Sequence, residues 1–344
     1  MKNNKLHIGV IGASGMGQSH MKGIVNHADA VLEAICDIDA NVLAQAATKF
    51  NISKAKTDYR EIINDPEIDA VVIVTPDQLH LEMVTAALNA GKHVLCEKPM
   101  ALTTEQCEQM LLCQKQSSCQ LMVGQVCRYT PGFLKAKELI EKGLIGELFF
   151  VESEYAHNYE NARGKDDWRV TPLRDGFIGG GCHAVDLLRW IAGDPKEVFA
   201  YANHKCLKDW PTNDCTAALY QFQNGVIGKV FVSTGCRRDY TMRSVFYGTK
   251  GTIICDNTSP YLTLFTTSLS VADEKSAYTT AHKIKVSIES HNVSAEINGF
   301  VNALINNEPV PVSALEGAKT VAVCAASISS AQKGMPVKIK YPGF

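Results

Sequence analysis

No Cys-x-x-Cys pair occurs in the 344 residues, although twelve cysteines are scattered from Cys36 to Cys324. Zinc ribbons and dithiol redox centres need closely paired cysteines, so this spacing argues for free thiols in a reducing, cytoplasmic compartment. Cys107, Cys113 and Cys119 recur at intervals of six, which fits neither zinc-knuckle spacing nor one helical face, and no metal is expected. An excess of one charge is missing too, with 34 Lys and Arg against 36 Asp and Glu and a formal net charge of -2. Nothing there neutralises a phosphate backbone or draws the chain to an anionic membrane, so neither nucleic acid nor a membrane is an expected partner. No run approaches the ~18 apolar residues of a membrane span. Met1 to Lys5 is polar and runs straight into a strand, so no exported leader is expected. Long internal repeats and low-complexity linkers are also absent.

What is present is enough apolar sequence for real cores: 46% hydrophobic residues with 20% charged. The length exceeds twice the roughly 150 residues of a typical domain, which predicts two. From His7 to about Gly124, short apolar runs alternate with longer amphipathic stretches, as in a doubly wound parallel sheet. Strands are expected at His7 to Ile11, Val31 to Cys36, Ala70 to Thr75, His93 to Cys96 and Gln120 to Val123. Helices fall between them, near Gly15 to Asn26, Asn41 to Phe50, Gln78 to Ala90 and Thr104 to Gln116. After Gly124 and a helix at Gly132 to Lys142, strand-like segments follow with few helices between them, and Asn224-Gly225 marks a tight turn. Helices return at His183 to Ala192 and Ala314 to Gln332. The expectation is an α/β chain with a Rossmann domain over residues 1–124 and a mostly antiparallel α/β domain over 125–344.

The first strand leads into Gly12-Ala13-Ser14-Gly15-Met16-Gly17, the spacing of a dinucleotide-binding fingerprint with Ser14 in the middle glycine position. Serine adds a Cβ and a hydroxyl that must be tolerated or used as a phosphate donor, and Gly15 beside it supplies backbone freedom. The same cluster would also serve a plain strand-to-helix turn. Asp37 falls twenty residues after Gly17, where a carboxylate accepts from ribose hydroxyls and repels a 2'-phosphate. Ile38-Asp39 brings no arginine to reverse that preference, so NAD is favoured over NADP. The alternative is that Asp37 only starts the helix at Asn41. Two further strands end in Thr75-Pro76, with His80 following, and in Glu97-Lys98-Pro99. Both endings belong to the carboxyl edge of the sheet, where open parallel sheets bind ligands. A lysine there suits a general base or a hydrogen bond to an alcohol oxygen; out of that context it is a surface charge.

These motifs, in order, with Arg128-Tyr129, Trp168-Arg169, Gly180-Gly181-Cys182-His183 leading to Asp186-Leu187-Leu188, and Tyr247 to Thr252, resemble the glucose-fructose oxidoreductase, inositol dehydrogenase and MocA family (Gfo/Idh/MocA) along nearly the whole chain. The resemblance implies an N-terminal NAD(P)-binding domain and a C-terminal domain whose open antiparallel sheet commonly forms the interface of a homo-oligomer, a dimer or tetramer. It further implies substrate binding between the two, Lys98 and His183 at the reacting carbinol, and a cis peptide at Lys98-Pro99. Many members oxidise or reduce one secondary hydroxyl of a sugar, sugar derivative or cyclitol. One departure concerns mechanism. Well-studied members often carry Asp-x-Gly-x-His, and four residues before His183 this chain has Gly179. Asp186 and Asp175 are the nearby carboxylates, and His183 alternatively just begins a helix.

Arg128, Tyr129, Trp168 and Arg169 are candidates to contact substrate, with structural readings open for each: an Arg169–Asp167 ion pair, and Trp168 in a core. Tyr155, His157 and Tyr159 alternate along an expected strand and share a face, His157 being the candidate for the pocket. Among the cysteines, only Cys182 is expected beside the chemistry. Three functions follow for test: an NAD-dependent polyol dehydrogenase; redox-neutral, NAD-dependent glycoside cleavage or epimerisation; and a non-catalytic NAD-sensing interaction protein.

Overall fold

A computed structural model describes residues 5–160, 167–267 and 280–343. By compactness the chain divides into one unit running to Val126 and resuming over Asn292–Val321, and a second comprising Cys127–His291 and Ala322–Gly343. The first unit thus includes Asn292–Val321, which lies within the 125–344 span expected for the second domain.

In the first unit β1 (Leu6–Ile11), β2 (Ala30–Cys36), β3 (Lys54–Lys56), β4 (Ala70–Ile73), β5 (His93–Glu97) and β6 (Leu121–Gly124) form a six-stranded sheet. Its order is β3-β2-β1-β4-β5-β6, parallel throughout. This is the doubly wound order, with a reversal beside β1 that opens a crevice at the carboxyl edge. Every residue of β4 and β6 is buried, the continuous apolar strand that helices on both faces require. The short β3 and the helix Tyr59–Ile63 were not expected, being too brief for periodicity to register. Helix Val293–Ile305, also unforeseen, packs against helix Gly15–Val25. Its apolar residues Val293, Ile297, Phe300, Val301 and Leu304 recur at helical spacing and are buried.

The second unit is built on β7 (Leu148–Ala156), β8 (Pro195–Asn203), β9 (Cys215–Phe222), β10 (Ile227–Ser233), β11 (Thr241–Gly248), β12 (Gly251–Asp256), β13 (Tyr261–Thr266), β14 (His282–Lys285) and β15 (Val337–Lys338). They form one sheet in the order β14-β13-β12-β11-β7-β10-β9-β8-β15. Neighbours are antiparallel except β7 and β10, which run parallel. Burial alternates strictly along β9, so one face lies on the core and the other is open. Helix Cys182–Ala192 covers β7 and β10 on the core side.

Candidate active site

At the end of β1 the chain turns at Gly12, φ +102, where a Cβ would lie 2.4 Å from the Val74 carbonyl oxygen. A Cβ on Gly17 would lie 1.9 Å from the Gly12 carbonyl oxygen, so only glycine lets the helix start this close to the strand. Ser14 occupies extended backbone (φ -92, ψ 169) open to any residue, and its hydroxyl does not cap the helix. The left-handed conformation falls instead on Gly15, φ +31. Ser14 and Gly15 are exposed and Met16 half-buried. They form a helix N-terminus with backbone N–H groups and a hydroxyl suited to a pyrophosphate.

Asp37 follows β2 and accepts the backbone N–H groups of Ala13 at 2.8 Å and Asp39 at 3.0 Å. The next helix is capped by Asp39, which accepts from Asn41 and Val42, so Asp37 is not its start. Asp37 therefore ties down the glycine loop while keeping a half-buried carboxylate beside Ile38, which is 91% exposed. Loop, helix terminus and carboxylate together fit a dinucleotide with an unphosphorylated ribose.

The ends of β4 and β5 are braced from beneath. His80, expected at the cofactor, is 1% exposed, and its ring nitrogens lie on the carbonyl oxygens of Pro99 (2.9 Å) and Thr75 (3.1 Å). Both nitrogens being so engaged, the ring holds the Thr75-Pro76 turn to the Glu97-Lys98-Pro99 segment rather than reaching for a ligand. Glu97 is likewise buried, with one oxygen 2.9 Å from His20 Nε2 and the other accepting the Lys98 N–H at 3.0 Å. Burial alone would raise its carboxyl. The His20 hydrogen bond and charge, with Lys98, outweigh that and hold it down at about 2. Glu97 thus positions Lys98, whose peptide to Pro99 is cis as expected.

A third group, Glu296 from helix Val293–Ile305, completes this cluster, a carboxyl oxygen lying within 4.8 Å of a His20 ring nitrogen and a Glu97 carboxyl oxygen. Glu296 is fully buried and neither of its oxygens has a hydrogen-bond partner among the described residues. Burial, then the neighbouring Glu97, push it well above the usual carboxylate range, against the pull of Lys98. Sequence reasoning missed Glu296, since no spacing rule links it to Glu97 across so much chain.

In the second unit His183 stands in the first turn of helix Cys182–Ala192, 2% exposed, under the stacked ring of Tyr155 at 6.2 Å and 23°. Its Nδ1 lies 3.4 Å from the Sγ of Cys127. Tyr155 donates to or accepts from Tyr159 at 2.8 Å and His157 Nδ1 at 3.2 Å, so the three residues expected on one face do converge. Burial keeps the Tyr155 hydroxyl protonated, far above its ordinary value, reinforced by Tyr159 and Tyr240. Tyr240 and His291, both missed by sequence reading, join the group through a 3.1 Å contact between hydroxyl and Nε2. Cys182, expected beside the chemistry, instead directs its thiol at the Gly179 carbonyl, 3.9 Å away.

The remaining candidates are placed differently. Arg128 and Asp186, expected at the substrate, form a buried bidentate pair at 2.7 and 2.8 Å. A carboxylate with 1% exposure needs such a partner, which is why the two are drawn together. Tyr129 follows in the same short turn, half-buried. Arg169 pairs with Asp167 at 3.2 Å and stacks on Trp168 at 4.0 Å, with Arg174 on the same ring at 5.0 Å. Trp168 is therefore a half-buried, cation-flanked ring rather than core.

Residues 6–125 match the family model described as "Oxidoreductase family, NAD-binding Rossmann fold", and residues 133–254 match the "GFO/IDH/MocA C-terminal domain". Myo-inositol 2-dehydrogenase of Thermotoga maritima is 27% identical over 346 residues, covering 97% of this chain and 99% of that protein. Levoglucosan dehydrogenase of Pseudarthrobacter phenanthrenivorans is 27% identical over 293 residues, covering 72% and 73%. A solved levoglucosan dehydrogenase with NADH and levoglucosan is 25% identical, with a TM-score of 0.86 over 97% of this chain and 99% of that one.

Proposed function

The chain belongs to the Gfo/Idh/MocA family of NAD-binding oxidoreductases, and from that premise we propose that it oxidises or reduces one secondary hydroxyl of a sugar, sugar derivative or cyclitol. The observation that carries the reading is Lys98 at the carboxyl edge of β5, its backbone N–H held by the buried Glu97 carboxylate. It stands on the same sheet as a glycine loop and an Asp37 that fit NAD. Polyol substrates agree with the relatives named for inositol and levoglucosan.

Gly12, Ser14, Gly15, Met16 and Gly17 would hold the pyrophosphate, Asp37 and Ile38 the adenosine end, and Thr75, Pro76 and Lys98 the nicotinamide end. Bound NAD supplies the hydride acceptor, or as NADH the donor. Lys98 takes the carbinol proton, and His183 holds the carbinol oxygen by a hydrogen bond. His157, Tyr129, Trp168 and Arg169 offer rings and donors for a polyhydroxylated ring, the half-buried indole suiting its apolar face. The open face of the second sheet, where Tyr201, Leu219 and Ile227 are 69%, 52% and 50% exposed, is an interface for a second copy of the chain.

The test is a panel of cyclitols, aldoses, anhydrosugars and glycosides, followed for NADH and for product. Lys98→Met is expected to abolish turnover and leave NAD binding largely intact, since the pyrophosphate and adenosine contacts remain, whereas Asp37→Ala weakens NAD binding roughly tenfold or more. Turnover unchanged in Lys98→Met would remove that residue from the mechanism. Aglycone release without NADH would replace the dehydrogenase with the redox-neutral reaction.

A further inference from the structure

Where many relatives in the family pattern place an aspartate, this chain has Gly179, and a Cβ there would lie 2.3 Å from the Arg174 guanidinium carbon. The space is filled by arginine, whose Nη2 donates to the Gly179 carbonyl at 3.1 Å. Neither nearby carboxylate substitutes. Asp175 caps its own helix by accepting the Phe177 N–H at 2.8 Å, and Asp186 is held by Arg128. What faces His183 Nδ1 is a thiol, Cys127 Sγ at 3.4 Å, itself 1% exposed.

We propose that Cys127 is a positioning residue that sets the proton arrangement of His183. Its thiol donates to Nδ1, so that Nε2 carries the ring proton and presents it to the substrate oxygen. The inference rests on the dehydrogenase reading of His183 and deepens it. A carboxylate partner would accept a hydrogen bond from Nδ1–H and leave Nε2 as a base. Sulfur is a weak acceptor, while an imidazole nitrogen accepts well, so the favourable direction is S–H to Nδ1. The Tyr240 hydroxyl also hydrogen-bonds the Cys127 side chain, and as a donor to sulfur it leaves the thiol proton for Nδ1. Tyr155 stacked on the ring and His291 at 5.5 Å fix the plane in which Nε2 points. His183 then serves as a hydrogen-bond donor throughout, and proton removal falls to Lys98 alone.

The experiment is two-bond 1H–15N correlation on full-length, unliganded protein labelled at histidine, with His183 assigned by its loss in His183→Gln. The expected signal is the Nε2–H tautomer, retained in Cys127→Ser and inverted to Nδ1–H in Cys127→Asp. In steady state, Cys127→Ala is expected to lower kcat roughly tenfold with KM little changed, and Cys127→Ser to restore most of it. Cys206→Ser, at an exposed cysteine, is the control for thiol loss. An Nδ1–H tautomer or an imidazolium at neutral pH in the parent protein overturns the proposal, as does an unchanged signal in Cys127→Ala. So does one equivalent of zinc lost in Cys127→Ser, since donor atoms of Cys127, His183 and His291 lie within 4.8 Å of one another. The spectrum is read without turnover. Absent polyol activity with the Nε2–H tautomer intact therefore fails the dehydrogenase reading alone.

Discussion

Replacing Arg128 with Met is expected to destabilise the second unit by about 3 to 5 kcal/mol, because it takes a bidentate charged partner away from a buried carboxylate. Asp186 is 1% exposed and accepts from Nε at 2.7 Å and Nη2 at 2.8 Å, so both of its oxygens lose a charged donor at once. For a unit of this size ~1 kcal/mol moves Tm by roughly 2 to 4 °C, giving a fall of about 6 to 20 °C. The double variant Arg128→Met/Asp186→Leu removes the pair as a whole and is expected to recover most of that loss, a coupling of at least about 2 kcal/mol. Trp190 lies under the guanidinium at 5.8 Å, so its fluorescence reports unfolding locally during a thermal or urea titration. A loss below about 1 kcal/mol in the single variant, or strictly additive effects in the double, would refute the reasoning. A substrate-contacting pair would behave otherwise, raising KM while leaving Tm in place.

Two further outcomes follow from the same kind of argument. Burial raises the Glu296 carboxyl in the folded protein, so its stabilising contribution is complete below its ordinary value of 4.5 and is lost as pH rises through the raised value. Glu97 has the opposite sign, its contribution present above 4.5 and lost as pH falls towards about 2. Glu296→Gln cannot ionise and is expected to flatten the decline of stability as pH rises above 4.5, measured by urea unfolding at stepped pH; an unaltered slope would contradict the assignment. From the proposal that the open sheet face joins two copies, Leu219→Asp is expected to be monomeric by light scattering where the parent chain is not; a monomeric parent, or an oligomer undisturbed by the substitution, would refute that proposal.

The parallel sheet was legible because its strands are continuously apolar and its turns carry glycine at fixed offsets. Gly12 and Gly17 could be read for the close approach they permit, and Asp37 for its distance from them. Lys98 was legible through its position at a strand end. The supports beneath these residues were not. His80 and Glu97 carry the chemistry of ligand-binding groups, yet burial turns His80 onto two backbone carbonyls and Glu97 onto His20 and the Lys98 N–H. The Arg128–Asp186 pair was not legible for the same reason: polar residues near a motif look like contacts until their partner is known. Cys127, Tyr240, His291 and Glu296 come from distant segments, and only the folded chain brings them to His183 or Glu97. The parallel β7–β10 pair escaped too, because alternation along a strand is the same whichever way its neighbour runs.

The chain leaves the first unit at Val126 and re-enters it at Asn292. During synthesis the six strands are therefore complete long before the unit is. Until helix Val293–Ile305 emerges, the face of Gly15–Val25 that it covers stays bare, and His20 and Glu97 wait without Glu296. The order of translation thus keeps the Lys98 edge unfinished until nearly all of the second unit has left the ribosome.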